Sequence, residues 1–308
     1  MTDKKYVLLY DPAAPFDGER PNSAALAELS RSFEIIGFGC SLPGDTAVFV
    51  NLHGAYFPAD MYASLRAQMS RGMGYISLAN SAPLKNPCVK ENGGWRTERP
   101  QTAYYTPLMI ENCIDVPSRR YKRTEPAADM PVLAEYMDAF TVRDTQGVIV
   151  QFTHADDQPG TCGSSGPIDA MIFPLVRGFD CSRHTASPVV AIDYYRGELT
   201  GCRHIFLNFA ADKAFWSCGG ASALRRLADY SAFGSYTFML SPNYAIYYEG
   251  ERATLRLTSQ HYTRETTGEV KITISHEGEM LYEKSLVIRF GRDVKYTDVV
   301  LPFEINSG

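Results

Sequence analysis

Hydrophobic positions along this 308-residue chain fall into two textures. Up to about residue 240, short apolar runs alternate with amphipathic stretches. Beyond it only short alternating runs remain. Tyr6-Val7-Leu8-Leu9-Tyr10 predicts a buried strand, ended by Asp11-Pro12. Asn22 is placed to cap a helix carrying Ala25, Leu26, Leu29 and Phe33, and Glu34 to Phe38 predicts a second strand. The organising stretch runs from Asp45 to Pro83. Its run Thr46 to Asn51 stops at Leu52-His53-Gly54, and Pro58 opens a helical pattern with Met61, Leu65 and Met69 on one face. Gly72 and Gly74 bracket the helix end, and Tyr75 to Leu78 begins a new strand. Strand, helix, strand in this order is a βαβ unit and implies a parallel sheet. The first eighty residues thus predict β-α-β-β-α-β, a doubly wound, flavodoxin-like α/β architecture.

Between Ser81 and Pro131 the periodic signal fades. Asn92-Gly93-Gly94 marks a hairpin between Cys88–Lys90 and Trp95–Thr97, and the basic stretch Ser118 to Thr124 predicts a surface loop. An insertion of this length suits a functional or partner-facing role. A helix is expected over Val132 to Ala139 and a strand over Val148 to Thr153, with Ser165 capping a short helix at Pro167. Val189–Tyr195 and His204–Ala210 predict a hairpin or neighbouring strands, and Ala221–Tyr230 a closing helix. The first domain is expected over residues 1–240. Residues 241–308 then show the runs Ala245–Tyr248, Ala253–Thr258, Glu269–Ser275, Met280–Ile288 and Val299–Phe303, an all-β, Ig-like sandwich pattern. A sandwich of that kind takes seven or more strands, so this one is expected to be incomplete. Either the chain is a piece of a longer protein, or a partner strand completes the fold at an open edge beside Val299.

Composition changes this picture little. Apolar content is 45% and charged content 21%, ordinary for a globular protein. A formal net charge of −5 without Lys/Arg runs gives no footprint for nucleic acid. No apolar window predicts a membrane span, and no secretory signal is visible. The seven cysteines are odd in number and contain no CxxC pair, which predicts reduced thiols and a cytoplasmic protein.

Candidate chemistry concentrates where parallel strands end. Asp11, His53 and Asn80 each follow a strand and together suit a sugar hydroxyl or a carboxylate. The alternative is that they cap strand ends and hold loops. His154, Asp156 and Asp157 follow another strand, and two carboxylates with an imidazole suit a cation or acid–base work. The alternative there is a hydrogen-bonded loop. Cys181, His184, Cys202 and His204 have spacings poor for structural zinc, and Ser164 and Ser165 lack the nucleophile-elbow order. No metal or other cofactor is expected.

The start YVLLYD, the middle DTAVFVNLHGAYFPADMYASLRAQMSRG and the strand MGYISLANS resemble the class I glutamine-amidotransferase-like domains appended to bacterial glycoside hydrolases. The resemblance covers residues 5–81 and, more loosely, 145–234. It implies that the turn after Gly74–Leu78 would carry a catalytic Cys, and that His53-Gly54-Ala55 would supply oxyanion donors. That turn here is Leu78-Ala79-Asn80-Ser81, without the thiol that attacks an amide. No glutaminase activity is therefore expected. The resemblance implies a non-catalytic accessory region of a carbohydrate-active protein, with a second copy or a neighbouring catalytic domain as partner. The competing expectations are a small hydrolase using Asp11, His53, Asn80 and His154, and a sugar-binding module.

Overall fold

The computed structural model describes residues 5–150 and 169–304. They divide into two compact units, 1–234 and 235–308. In unit 1 the strands are β1 (Lys5–Leu9), β2 (Glu34–Ile36), β3 (Thr46–Asn51), β4 (Tyr56–Pro58), β5 (Gly74–Leu78), β6 (Asn86–Glu91) and β7 (Gly94–Thr97). There follow β8 (Ile110–Val116), β9 (Arg123–Pro126), β10 (Thr145–Val150), β11 (Ala170–Asp180), β12 (Arg183–Tyr194) and β13 (Arg203–Leu207). The helices are α1 (Ser23–Ser32), α2 (Tyr62–Met69), α3 (Lys213–Ser217) and α4 (Gly220–Phe233).

One eight-stranded sheet organises this unit, in the order β2-β1-β3-β5-β13-β12-β11-β9. From β2 to β13 every pairing is parallel, and from β13 to β9 every pairing is antiparallel. The fold is therefore mixed α/β around a large, parallel-rich sheet. Its parallel strands alternate between two cores, because successive side chains of a strand point to opposite faces. Tyr6, Leu8, Val48, Val50, Ile76, Leu78, Ile205 and Leu207 pack with α1 and α4. Val7, Leu9, Phe49, Tyr75 and Phe206 pack on the other face with Leu65 and Met69 of α2. Burial on both faces explains why these strands read as continuous apolar runs.

Local chemistry fixes the elements in place. Asn22 caps α1, its Oδ1 accepting the Ala25 N–H at 2.8 Å, and Asp212 caps α3 through the Phe215 N–H at 2.7 Å. Where the sheet turns antiparallel, a buried pair crosses strands: Arg203 Nη2 donates to Asp193 Oδ2 at 2.7 Å, and its guanidinium stacks 4.0 Å from the Tyr230 ring centroid. A carboxylate and guanidinium taken out of water together need this bidentate geometry to offset desolvation.

Several expectations are corrected. Ser118–Thr124 is not simply a loop, since a single 3-10 turn at Ser118–Arg120 leads into edge strand β9. Val132–Ala139 forms only a kinked 3-10 segment over Ala134–Ala139. The fading of signal after Ser81 hides β8, whose pattern is half-exposed, and the β8–β10 ribbon it forms. Strand β11 also escapes a periodicity reading, because register shifts around Pro174, Val176 and Gly178 break its alternation. The helix expected at Pro167 begins outside the described residues.

Unit 2 contains β14 (Tyr236–Pro242), β15 (Thr254–His261), β16 (Thr266–His276), β17 (Glu279–Phe290) and β18 (Lys295–Val300). They form a three-stranded sheet, β14-β15-β18, and a hairpin, β16-β17, around a small core of Leu257, Ile272, Ile288, Phe290 and Val299. Ala245–Tyr248 is not a strand; Tyr244, Ile246 and Tyr248 around it are exposed, with no sheet facing them among the described residues. The contact division falls at Gly234, and β14 belongs with the second unit.

Candidate functional site

The carboxyl ends of β1, β3, β5 and β13 form one edge of unit 1, where an open parallel sheet presents its ligand crevice. The turn after β3 is built by Asn51. Its Oδ1 accepts the His53 N–H at 2.9 Å and its Nδ2 donates to Tyr56 O at 3.0 Å. This bends the chain sharply at Gly54, whose φ is 71°, a left-handed value that glycine adopts without strain.

His53 is fully buried among the rings of Phe38, Phe16 and Tyr10, with centroids at 4.5, 5.0 and 6.0 Å. The Asp11 backbone N–H donates to its Nε2 at 2.9 Å, and its Nδ1 lies 2.7 Å from Pro15 O. A backbone N–H can only donate and a carbonyl can only accept. The ring is therefore the neutral Nδ1–H tautomer with both nitrogens committed. Burial lowers its pKa to about 4, outweighing the Pro15 carbonyl that acts in the opposite direction. Asp11 is brought beside it but serves the backbone: Oδ1 accepts from Ala13 N–H at 2.9 Å and Oδ2 from Phe38 N–H at 3.3 Å.

Asn80 lies further along the same edge. Its N–H donates to Asp17 Oδ2 at 3.1 Å, and its side-chain oxygen accepts from Gln146 Nε2 at 3.4 Å. Gln146 also donates to Asp115 Oδ1 at 2.7 Å, and Asn208, just past β13, donates to Gln146 O at 2.7 Å. Asp17 leans directly on the Gly54 turn: a Cβ added at Gly54 would fall 2.3 Å from Asp17 Cβ. An internal carboxylate thus covers the backbone of the turn at Gly54 and takes the N–H at the end of β5. The residues 78–81 have no positive φ, and β6, not a helix, is the next regular element. A nucleophile elbow is a strained strand-to-helix turn, and this segment has neither property.

The edge therefore brings together Asp11 and His53 in one cluster and joins Asn80 to a second through Asp17. His154, Asp156 and Asp157 lie outside the described residues. Asp17, Asp115, Gln146 and Asn208 are the edge residues that sequence reasoning passes over. Asn208 has a legible signal, a polar residue interrupting the apolar run after Leu207; Asp17 sits in a Pro/Gly-rich loop where periodicity carries no information.

The other buried histidine, His204, lies on β13. Its Nε2 is 2.7 Å from Ser77 Oγ, its ring stacks 4.7 Å from Tyr75, and burial lowers its pKa to about 3. Cys181 is exposed at the β11–β12 turn, whereas Cys202 and His204 are buried. Among the described residues no group of three or more His, Cys, Asp and Glu side chains is placed to hold a metal, and the described cysteines are free. No helix among them is long and apolar enough to cross a membrane.

Comparison with known proteins adds a limited finding. No family model matches the chain. No curated protein matches it. Among solved structures it is similar to a cold-adapted β-galactosidase from Rahnella sp. R3, at 10% identity and a TM-score of 0.41 over 97% of this chain and 41% of that one. A second is Gan42B, a GH42 β-galactosidase, at 9% identity and a TM-score of 0.36 over 97% of this chain and 40% of that one. The chain thus spans about two fifths of the length of these β-galactosidases. At such identities and scores the likeness bears on neither activity nor substrate.

Proposed function

We propose that this chain is a non-catalytic accessory region of a carbohydrate-active, glycoside-hydrolase-type protein, with an amidotransferase-like first unit that serves assembly. Three things support the reading. The parallel strands follow the flavodoxin-like order, β2-β1-β3-β5-β13. The stretch from Asp45 to Ser81 resembles amidotransferase-like domains of such proteins. Above all, the polar groups at the carboxyl edge are spent on one another. Both ring nitrogens of His53 are engaged, and the Asn80 N–H is given to Asp17. An edge built for acyl transfer instead keeps a nucleophile and open backbone donors around the reacting atom. The second unit, two small antiparallel sheets on one core, is the Ig-like module that accompanies the first.

The test is enzymatic. The glycoside-hydrolase reading makes aryl glycosides, β-galactosides among them, the first substrates to try, with glutamine beside them. Neither should be turned over by the purified chain above the buffer rate. Turnover of either that disappears in His53→Ala would overturn the reading and favour the small-hydrolase alternative.

A further inference from the structure

The antiparallel half of unit 1 holds a cavity of about 370 Å³, within the range of small-molecule sites. It lies between the β8–β10 ribbon and strands β11 and β12. Val116 and Val148 form one wall, and Pro174 and Val190, cross-strand neighbours on β11 and β12, form the other. Among the described residues no Asp, Glu, Lys or Arg lines it. Its polar side chains are His184, Thr185, Ser187 and Asn208. Thr185 Oγ1 donates to Arg120 O at 3.0 Å, and Asn208 donates to Gln146 O and Ser187 O and accepts from Thr145 Oγ1, which leaves His184 and Ser187 to face a ligand.

Their geometry fixes what they can offer. His184 Nε2 lies 2.8 Å from Ala186 O and 3.0 Å from Ser187 Oγ. The carbonyl can only accept, so Nε2 carries a proton, and in the neutral ring Nδ1 carries the lone pair. Ser187 then accepts the shared Nε2–H, and its own proton is free to donate outward. The protonated Nε2 also means that His184 is not a base toward Ser187, so the pair is a binding device and not a nucleophile. With the ring neutral, the described residues present one hydroxyl donor, one imidazole acceptor and two apolar walls, without formal charge.

We propose that this cavity is a binding site for a neutral pyranose. A pyranose has apolar C–H faces to set against the valine and proline walls, and ring hydroxyls that both accept and donate. A charged sugar would leave its charge unpaired between apolar walls. The inference stands on the lining alone and does not depend on the accessory reading.

Saturation-transfer NMR on the full chain with methyl β-D-galactopyranoside and methyl β-D-glucopyranoside, and a uronate as the charged control, tests it. The neutral pyranosides should bind and the uronate should not. Gly147 lines the cavity, and a Cβ there meets only Val116 Cγ2 at 3.5 Å and Ile114 O at 3.6 Å, so Gly147→Ile should fill the space and abolish binding. Ser187→Ala should weaken binding roughly tenfold, the loss of one hydrogen bond. Because it removes a single atom, it carries the test if Gly147→Ile does not fold. No transfer to either neutral pyranoside, binding unchanged in Ser187→Ala, or a uronate that binds as well would each overturn the proposal. Aryl galactoside turnover would overturn the accessory reading and leave this one standing.

Discussion

At the scale of single residues, His53 shows how a polar side chain at a strand end can be wholly structural in its bonding. Its tautomer follows from its two partners, and its lowered pKa from burial among three aromatic rings. A histidine whose folded pKa lies below its unfolded one favours the neutral form in the fold. Its contribution is complete above the unfolded value of 6.5 and is lost as pH falls toward about 4. The shift corresponds to about 3 kcal/mol. His53→Gln should therefore be less stable than the parent at pH 7, with a gap that narrows by about that amount between pH 6.5 and pH 4. Denaturant midpoints of both proteins across this range measure it. His204 titrates over an overlapping window but is common to both, so it cancels in the difference. A gap that stays constant would mean that the His53 ring keeps its proton affinity on folding.

At the scale of elements, the parallel half of the sheet was legible and the antiparallel half only in part: the runs Val189–Tyr195 and Val148–Thr153 fall on the ends of β12 and β10. Strands β1, β3, β5 and β13 are short and apolar on both faces, so their runs stand out in the sequence, and Asp11, His53 and Asn80 mark the ends of the first three; the run His204–Ala210 extends past Asn208, where β13 has already ended. Strand β8 and the bulged β11 carry no such signature: Ile114 is exposed, and Pro174 and Gly178 interrupt the alternation. The opposite error at Ala245–Tyr248 has the same root. Its alternation is that of a strand, but a strand exists only where a neighbour accepts its hydrogen bonds, and that is information from the rest of the chain. The site was legible to the same extent. Asp11, His53 and Asn80 mark the edge, while the residues that close it, Asp17 and Gln146, come from loops and from the antiparallel half.

Gly74 shows what element packing adds beyond pattern. It opens β5 beneath α4, and a Cβ there would lie 2.3 Å from Ser231 Oγ and 2.9 Å from the Ser231 carbonyl. Ser231 in turn donates to Arg203 O at 2.9 Å, tying the helix to β13. Gly74→Ala should cost about 1–3 kcal/mol, as overpacking does, read as a lower denaturant midpoint. Adding Ser231→Ala removes the hydroxyl but not the backbone carbonyl. The double variant should recover only part of the loss. Full recovery would locate the close approach in the side chain alone.

At the scale of the whole molecule, the two units treat their sheet edges differently. The eight-stranded sheet ends in β2 and β9, three and four residues long, which offer little backbone for another chain to pair with. Unit 2 has no such protection among its described residues. Among the described residues β18 pairs only with β15, and β14 only with β15, so neither has a second strand on its outer flank. On β18, Val299 points into the core at 2% exposure, while Tyr296 and Val300 stand outward at 64% and 60%. On β14, Met239 is 53% exposed. A core cluster of five buried side chains with apolar residues left outside it is thin for an independent unit, and an unpaired, apolar edge invites a second strand. The expected outcome is concentration-dependent self-association of the chain, visible as a rising mass in light scattering. Val300→Lys and Met239→Lys place a charge on each edge where no core contact is lost, so they should shift the association to higher concentration while leaving the melting temperature of unit 1 unchanged. If the mass does not rise with concentration, these edges are not adhesive in solution. If it rises equally in both variants, association runs through unit 1, as the accessory reading would have it, and the same measurement separates the two.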